Sequence, residues 1–234
     1  MPRSHAPSQT SGASTSRWLV GRELRLGAMI AWWLLWMGAW VIARGSAVYF
    51  IDGHLAPFVV DKGVVGLDPI WVVALRVHVI AAPCALLAAA LQLLRRVRVA
   101  APRLHRLLGR VVAVVVMVAV VPSAIVLSFV AKGGWPSTVG FVVSAGLTAV
   151  AMVRSVRCAR ARRFAAHRRW AWHVVAQLSV ALSSRAILRL TFDTALDPTV
   201  AYWVSLWGPM ILGVVAVEIL TRTPQGSSSV EPSR

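Results

Sequence analysis

Four histidines stand where an imidazole could bind a metal or a cofactor. They are His78, His105, His167 and His173, distributed over the predicted second, third and fifth membrane helices. Imidazoles on facing helices can hold the iron of a b-type heme. A helix rises about 1.5 Å per residue, so His78 and His173 are expected to differ by about 9 Å in depth. His105 and His167 both fall at the cytoplasmic interface, and either pair is a candidate for the axial ligands.

Several arginines lie within predicted membrane helices, where a cationic side chain is costly. Arg76 on the second span and Arg185 on the fifth are both expected in the outer half of the membrane. No acidic residue lies inside a span at that depth, and Asp52 and Asp193 are the nearest candidates at the edge. Because guanidinium binds carboxylate and phosphate bidentately, the pair predicts either a bound anion, such as a carboxylate-bearing cofactor, or a water-filled pocket. Arg189 is expected to snorkel to the interface.

Membrane helices must position these side chains, because the composition is that of an integral membrane protein. Of 234 residues, 58% are hydrophobic and 14% are charged, whereas a soluble domain carries about 25% charged residues. We predict an all-α, polytopic transmembrane helix bundle, with tails at residues 1–25 and 221–234 that are expected to be disordered. The apolar runs that predict its six spans are residues 26–50, 69–94, 111–131, 138–153, 170–190 and 199–220.

The distribution of basic residues predicts the orientation. The connections at 95–110 and 154–169 are rich in arginine. The basic residues of the outer loops are only Lys62 and Lys132. Basic residues in short loops remain inside, so both termini are predicted to be cytoplasmic. The net charge of +17 then indicates anionic lipid headgroups as partners of the basic loops, and no nucleic acid. Protein partners cannot be inferred.

Several classes of chemistry have no support in the sequence. The two cysteines, Cys84 and Cys158, are expected at different depths, and the spacings typical of zinc sites or of covalently attached heme are absent. Paired carboxylates, a glycine-rich phosphate loop and a Ser/His/Asp arrangement are also absent, which disfavours a hydrolase or transferase. Whether the protein is an enzyme stays open.

Two motifs and two isolated residues resemble a known family. The run Leu104-His105-Arg106-Leu107-Leu108-Gly109-Arg110, the run His167-Arg168-Arg169-Trp170, the midhelical His78 and Arg185 are similar to the pattern of predicted bacterial membrane proteins called domain of unknown function 2306. The resemblance covers about residues 30–195.

The resemblance implies a protein of the bacterial cytoplasmic membrane, without an established biochemical role. The positions that it implies are His78, His105, Arg106, Gly109, Arg110, His167, Arg168, Trp170 and Arg185. The family usually has arginine where this chain has His173. This departure makes His78, His105 and His167 the better candidates for metal ligands if heme is bound.

Three functions remain open at this point. The first is a cofactor-binding membrane redox protein, for which b-type heme is the candidate cofactor. In it, Arg76 and Arg185 bind anionic groups of the cofactor. The second is a small transporter of anions or protons, with His78 and the same arginines along the path. The third is a non-catalytic membrane protein whose basic loops bind anionic lipid or a partner.

Overall fold

The computed structural model describes residue 29, residues 32–50 and residues 57–222. These residues form helices, turns and short connections with no strand, which confirms the all-α prediction. The predicted tail at 1–25 and the end of the chain from residue 223 lie outside the described residues, as does part of the predicted first span.

The chain divides into two compact units, Met1–Gly38 and Ala39–Arg234. In the first unit, residues 32–38 are helical, and the rings of Trp32 and Trp36 lie 6.3 Å apart. In the second unit, residues 39–46 are helical and continue into a 3₁₀ turn.

Five helices in the described part of the chain are long and apolar enough to cross a membrane. They are α1 (Pro69–Leu93), α2 (Pro102–Ser128), α3 (Trp135–Arg160), α4 (Phe164–Thr191) and α5 (Pro198–Arg222). The shorter helical segments are Ala47–Phe50, Pro57–Val60, Gly63–Leu67 and Arg95–Ala100.

An Asp-Pro pair begins both α1 and α5. The Asp68 carboxylate accepts hydrogen bonds at 2.8 and 2.9 Å from two N–H groups in the first turn of α1. Asp197 does the same for α5 at 2.8 and 3.1 Å. The proline that follows has no N–H, so it loses nothing at the first helical position. These acidic residues therefore fix where two of the long helices begin.

Two of the long helices contain a local change in winding. A π-helical turn at Val116–Val120 interrupts α2 just before Pro122. A turn at Ser179 separates the two parts of α4, Phe164–Leu178 and Val180–Thr191. The π turn adds a residue to the helix and rotates the faces that follow it.

The helices α1 to α4 pack as a ring in which each contacts the next and α4 contacts α1, and α5 packs against α3 and α4. Val180, Leu206 and Met210 form a buried core between α4 and α5, against which Phe141 packs. A Cβ atom on Gly140 of α3 would lie 2.7 Å from Leu206. The small residue thus permits the close packing of α3 on α5.

The ring has two chemically different ends. The arginine-rich end is the one that contains segment Arg95–Ala100 and the turn at 161–163. The opposite end contains the connections before α1, between α2 and α3, and between α4 and α5.

Candidate functional site

Four polar side chains, one from each helix of the ring, form a layer near the arginine-rich end. They are Gln92 of α1, His105 of α2, Ser155 of α3 and His167 of α4, and we call this group the polar layer. Ser155 hydrogen-bonds to His167. His105 and His167 lie within electrostatic range of each other, and Gln92 packs against the turn of α2 that follows His105.

The hydrogen bonds of His167 determine which of its ring nitrogens carries a proton. Its Nδ1 atom lies 2.9 Å from the carbonyl oxygen of Ser155 and 3.0 Å from the hydroxyl of the same residue. A carbonyl oxygen can only accept, so Nδ1–H donates and the lone pair of the neutral imidazole is on Nε2. Donation of one ring N–H to a backbone carbonyl is the usual support for a histidine that binds a metal through its other nitrogen.

His105 and Gln92 each bury a polar atom that has no hydrogen-bond partner among the described residues, namely Nδ1 of His105 and Nε2 of Gln92. Gly109 lies one turn from His105 on the same face of α2. A Cβ atom on Gly109 would be 3.2 Å from Gln92 Nε2, so the glycine of the motif lets α1 and α2 approach here. Buried polar groups are nearly always paired, so two unpaired atoms in one layer indicate a place for a polar ligand.

Positive charge surrounds the polar layer. The guanidinium groups of Arg98 and Arg106 act electrostatically on His105, as does His167. Arg106 is exposed and Arg98 is half-buried. An anionic group bound beside His105 would therefore meet two fixed cations.

His78 lies toward the opposite end of the ring. Its Nδ1 is 3.0 Å from the hydroxyl of Ser123 on α2. That hydroxyl donates to the carbonyl of Ala119 at 2.6 Å, so it accepts from His78 Nδ1–H, and the lone pair of this ring is also on Nε2. Gln92 follows His78 by 14 residues on α1, which corresponds to about 21 Å. His78 and the polar layer are therefore separate places in the bundle.

Glu218 of α5 binds His173 and two arginines. Its carboxylate accepts from Arg169 at 3.0 and 2.5 Å, from His173 Nε2 at 2.9 Å and from Arg222 at 2.7 Å. His173 is buried, with its side chain 7% exposed. The sequence analysis missed this network, although Arg169 and His173 are one turn apart and Glu218 occupies the same predicted end of the last span.

Trp170 of the His-Arg-Arg-Trp motif lies among three cationic or aromatic groups. The guanidinium carbons of Arg154 and Arg169 are each 5.9 Å from its ring centroid, and the His173 ring is 5.3 Å away. These contacts connect α3 to α4 beside the polar layer, so packing accounts for the tryptophan of the motif.

Arg76 and Arg185 lie at the opposite end, away from the polar layer. Arg76 Nε donates to the carbonyl of Tyr49 at 3.1 Å, and Arg185 donates to its own helix at 3.1 Å. The charge of Arg185 acts on Tyr49 and His78. Within the described ranges, neither guanidinium has a carboxylate partner. The structure thus places His105 and His167 toward the arginine-rich end, and His78, Arg76 and Arg185 toward the opposite end.

The comparisons with known proteins give one match. A family model described as "Predicted membrane protein (DUF2306)" matches residues 75–221, which include α2, α3, α4 and nearly all of α1 and α5. No curated protein and no solved structure matches the chain.

Proposed function

The chain belongs to the DUF2306 family of predicted membrane proteins, and we propose that it is a membrane redox protein that binds a b-type heme between His105 and His167. The observation that carries this proposal is the state of the two imidazoles near the arginine-rich end: His167 has its lone pair on Nε2, and His105 has a buried Nδ1 without a partner among the described residues. Two imidazoles on facing helices suit the axial positions of heme iron.

The other groups of the polar layer fit the same ligand. Heme carries two carboxylate groups, and Arg98 and Arg106 supply positive charge next to His105. Gln92 has a buried amide nitrogen that needs an acceptor. These residues would orient the cofactor, while the carbonyl of Ser155 would hold the His167 ring in one orientation. His173 is left out of the ligand set because Glu218 binds its Nε2 atom.

Bound heme would supply one-electron chemistry. His105 and His167 would hold the iron, and the apolar helices around the layer would keep water away from it. The sequence pattern further supports a location in the bacterial cytoplasmic membrane, with six spans and both termini inside. In that orientation the arginine-rich end faces the cytoplasm, where it would also attract anionic lipid headgroups.

The absorption spectrum of the purified protein tests the proposal. After expression with added heme precursor, we expect a Soret band that shifts on reduction. His105→Ala and His167→Ala should each lose most of the bound heme, because each removes an axial ligand. His78→Gln is the matched control, since it changes an intramembrane histidine about 21 Å away along α1.

Two outcomes would remove the proposal. One is a wild-type protein with no Soret band despite an adequate heme supply. The other is a His167→Ala protein whose heme content and spectrum equal those of the wild type. Loss of heme in His78→Gln, with retention in both other variants, would place the ligand elsewhere and contradict the pairing.

A further inference from the structure

A pocket of about 320 Å³ opens between residues 43–50 and α1, toward the end of the ring opposite the polar layer. Its wall is almost entirely apolar and includes Ala47, Phe50 and Ile80. The one hydroxyl in the wall, that of Ser46, donates to the carbonyl of Ile42 in its own helix at 2.8 Å. The wall therefore presents a hydrophobic surface to an apolar ligand, and its one hydroxyl already has a hydrogen-bond partner.

Arg76 lies at one end of this pocket. It precedes Ile80 by one helical turn on α1, and its guanidinium carbon is 5.9 Å from the centroid of the Phe50 ring, which is part of the pocket wall. Its Nε donates to the carbonyl of Tyr49 at 3.1 Å. These two contacts hold a cation at the edge of the apolar surface.

Arg185 provides a second cation near the same place. Its charge acts on the phenol of Tyr49, the residue next to Phe50, and on the phenol of Tyr202 in α5. The side chain is exposed and donates a hydrogen bond to the carbonyl of Ala181. A phosphate beside Arg76 would lie within electrostatic range of Arg185 as well, and guanidinium groups suit phosphate oxygens.

The pocket runs from Arg76 toward the middle of α1. Its far wall is formed by Pro83 and Cys84, which lie about 11 to 12 Å beyond Arg76 along the helix axis. The cations are thus nearer the end of the bundle and the apolar wall is nearer its centre. A phospholipid in a membrane leaflet is oriented in the same way, with its charged headgroup at the membrane surface and its acyl chains toward the membrane centre.

We propose that this pocket binds an anionic phospholipid, with one acyl chain against Phe50 and Ile80 and the phosphate at Arg76 and Arg185. The site is independent of the heme proposal, because it lies at the opposite end of the ring. A free inorganic anion would use the two arginines but would leave the apolar wall without a role.

Native mass spectrometry of the detergent-solubilised, full-length protein tests the proposal. The probes are phosphatidylglycerol, zwitterionic phosphatidylcholine and inorganic phosphate, each titrated separately. We expect one tightly retained phosphatidylglycerol per chain. Phosphatidylcholine carries the same phosphate, but its choline ammonium is repelled by the two guanidinium groups, so it should bind more weakly, by about tenfold.

Three variants separate the contributions. Arg76→Gln removes the headgroup cation, and Ala47→Phe fills the apolar pocket without changing charge. Arg76→Gln should weaken phosphatidylglycerol binding by about tenfold, because it removes a charge-assisted hydrogen bond. Ala47→Phe should also weaken binding, because its ring excludes the acyl chain from the pocket. Arg189→Gln is the matched control, because it removes a cation one turn from Arg185 whose guanidinium lies over Phe192 instead of the pocket.

The results can also contradict the proposal. Equal binding of phosphatidylglycerol by wild type, Arg76→Gln and Ala47→Phe would show that the lipid binds elsewhere. Binding of inorganic phosphate that Arg76→Gln abolishes, without selective lipid binding, would identify the site as one for a free anion. An equal loss of lipid binding in Arg189→Gln would show that binding depends on the net charge of the protein and not on the position of Arg76.

Discussion

Glu218 is the residue whose replacement gives the clearest test of the packing at the arginine-rich end. It binds Arg169, His173 and Arg222 through one carboxylate. Replacing it by glutamine keeps the size of the side chain and an acceptor for His173 but removes the charge. Replacing it by alanine removes the acceptor as well. The two variants should therefore differ in stability.

The exposure of each partner decides the magnitude. Arg169 and Arg222 have side chains 34% and 70% exposed, so water can solvate them once the carboxylate is gone, and each ion pair contributes about 0–1 kcal/mol. His173 is only 7% exposed, and a buried donor left without a partner costs about 1–3 kcal/mol. We expect Glu218→Gln to destabilise the protein by about 1–2 kcal/mol and Glu218→Ala by about 2–4 kcal/mol.

Unfolding by sodium dodecyl sulfate in mixed micelles, followed by circular dichroism, measures these differences. Asp193→Ala is a control that removes a carboxylate at the opposite end, and it should change stability by no more than about 0.5 kcal/mol. Adding His173→Leu to Glu218→Ala should recover part of the loss, because the unpaired ring is removed as well. The reasoning would be refuted if Glu218→Ala unfolded at the wild-type detergent concentration, or if it equalled Glu218→Gln.

Two further predictions concern the fold. Gly140→Leu should destabilise the protein by about 1–3 kcal/mol, because any Cβ there meets Leu206. Gly146→Leu on the same helix places its side chain in open space and should be tolerated. Equal unfolding midpoints for the two variants would contradict the packing of α3 on α5. Asp68→Ala and Asp197→Ala should each cost about 1 kcal/mol through loss of a helix cap, measured by the same unfolding assay, and the corresponding asparagine variants should lose less because they still accept from the N–H groups.

The long helices were predictable because their cause is local in the sequence. Apolar runs of membrane length indicated each of the five described helices, and the charge-poor composition indicated their environment. The Asp-Pro pairs before α1 and α5 are also a helix-start signal in the sequence, and both helices begin there.

The pairing of side chains was less accessible, because it depends on which helix faces which. His105 and His167 were one of two candidate pairs, and only the ring order of the helices brings them to the polar layer. The contact of His78 with Ser123 lies beyond the π turn of α2. A turn of that kind shifts the helical faces, so spacing in the sequence does not reveal which residue faces α1.

Glu218 and Gln92 show the same difficulty in another form. Each is a single polar residue in an apolar run, and sequence periodicity indicates neither its partner nor its burial. The contact of Glu218 with His173 requires α5 to pack on α4. The need of Gln92 for an acceptor follows only from its burial against Gly109.

Electron paramagnetic resonance of the oxidised, purified protein tests the central proposal most directly. A low-spin ferric signal, at about one heme per chain, is expected for iron held by two imidazoles. His105→Ala and His167→Ala should each abolish that signal or convert it to a high-spin one, with His78→Gln unchanged. A protein without a heme signal, or a low-spin signal that survives loss of His167, would contradict the assignment of His105 and His167 as the ligand pair.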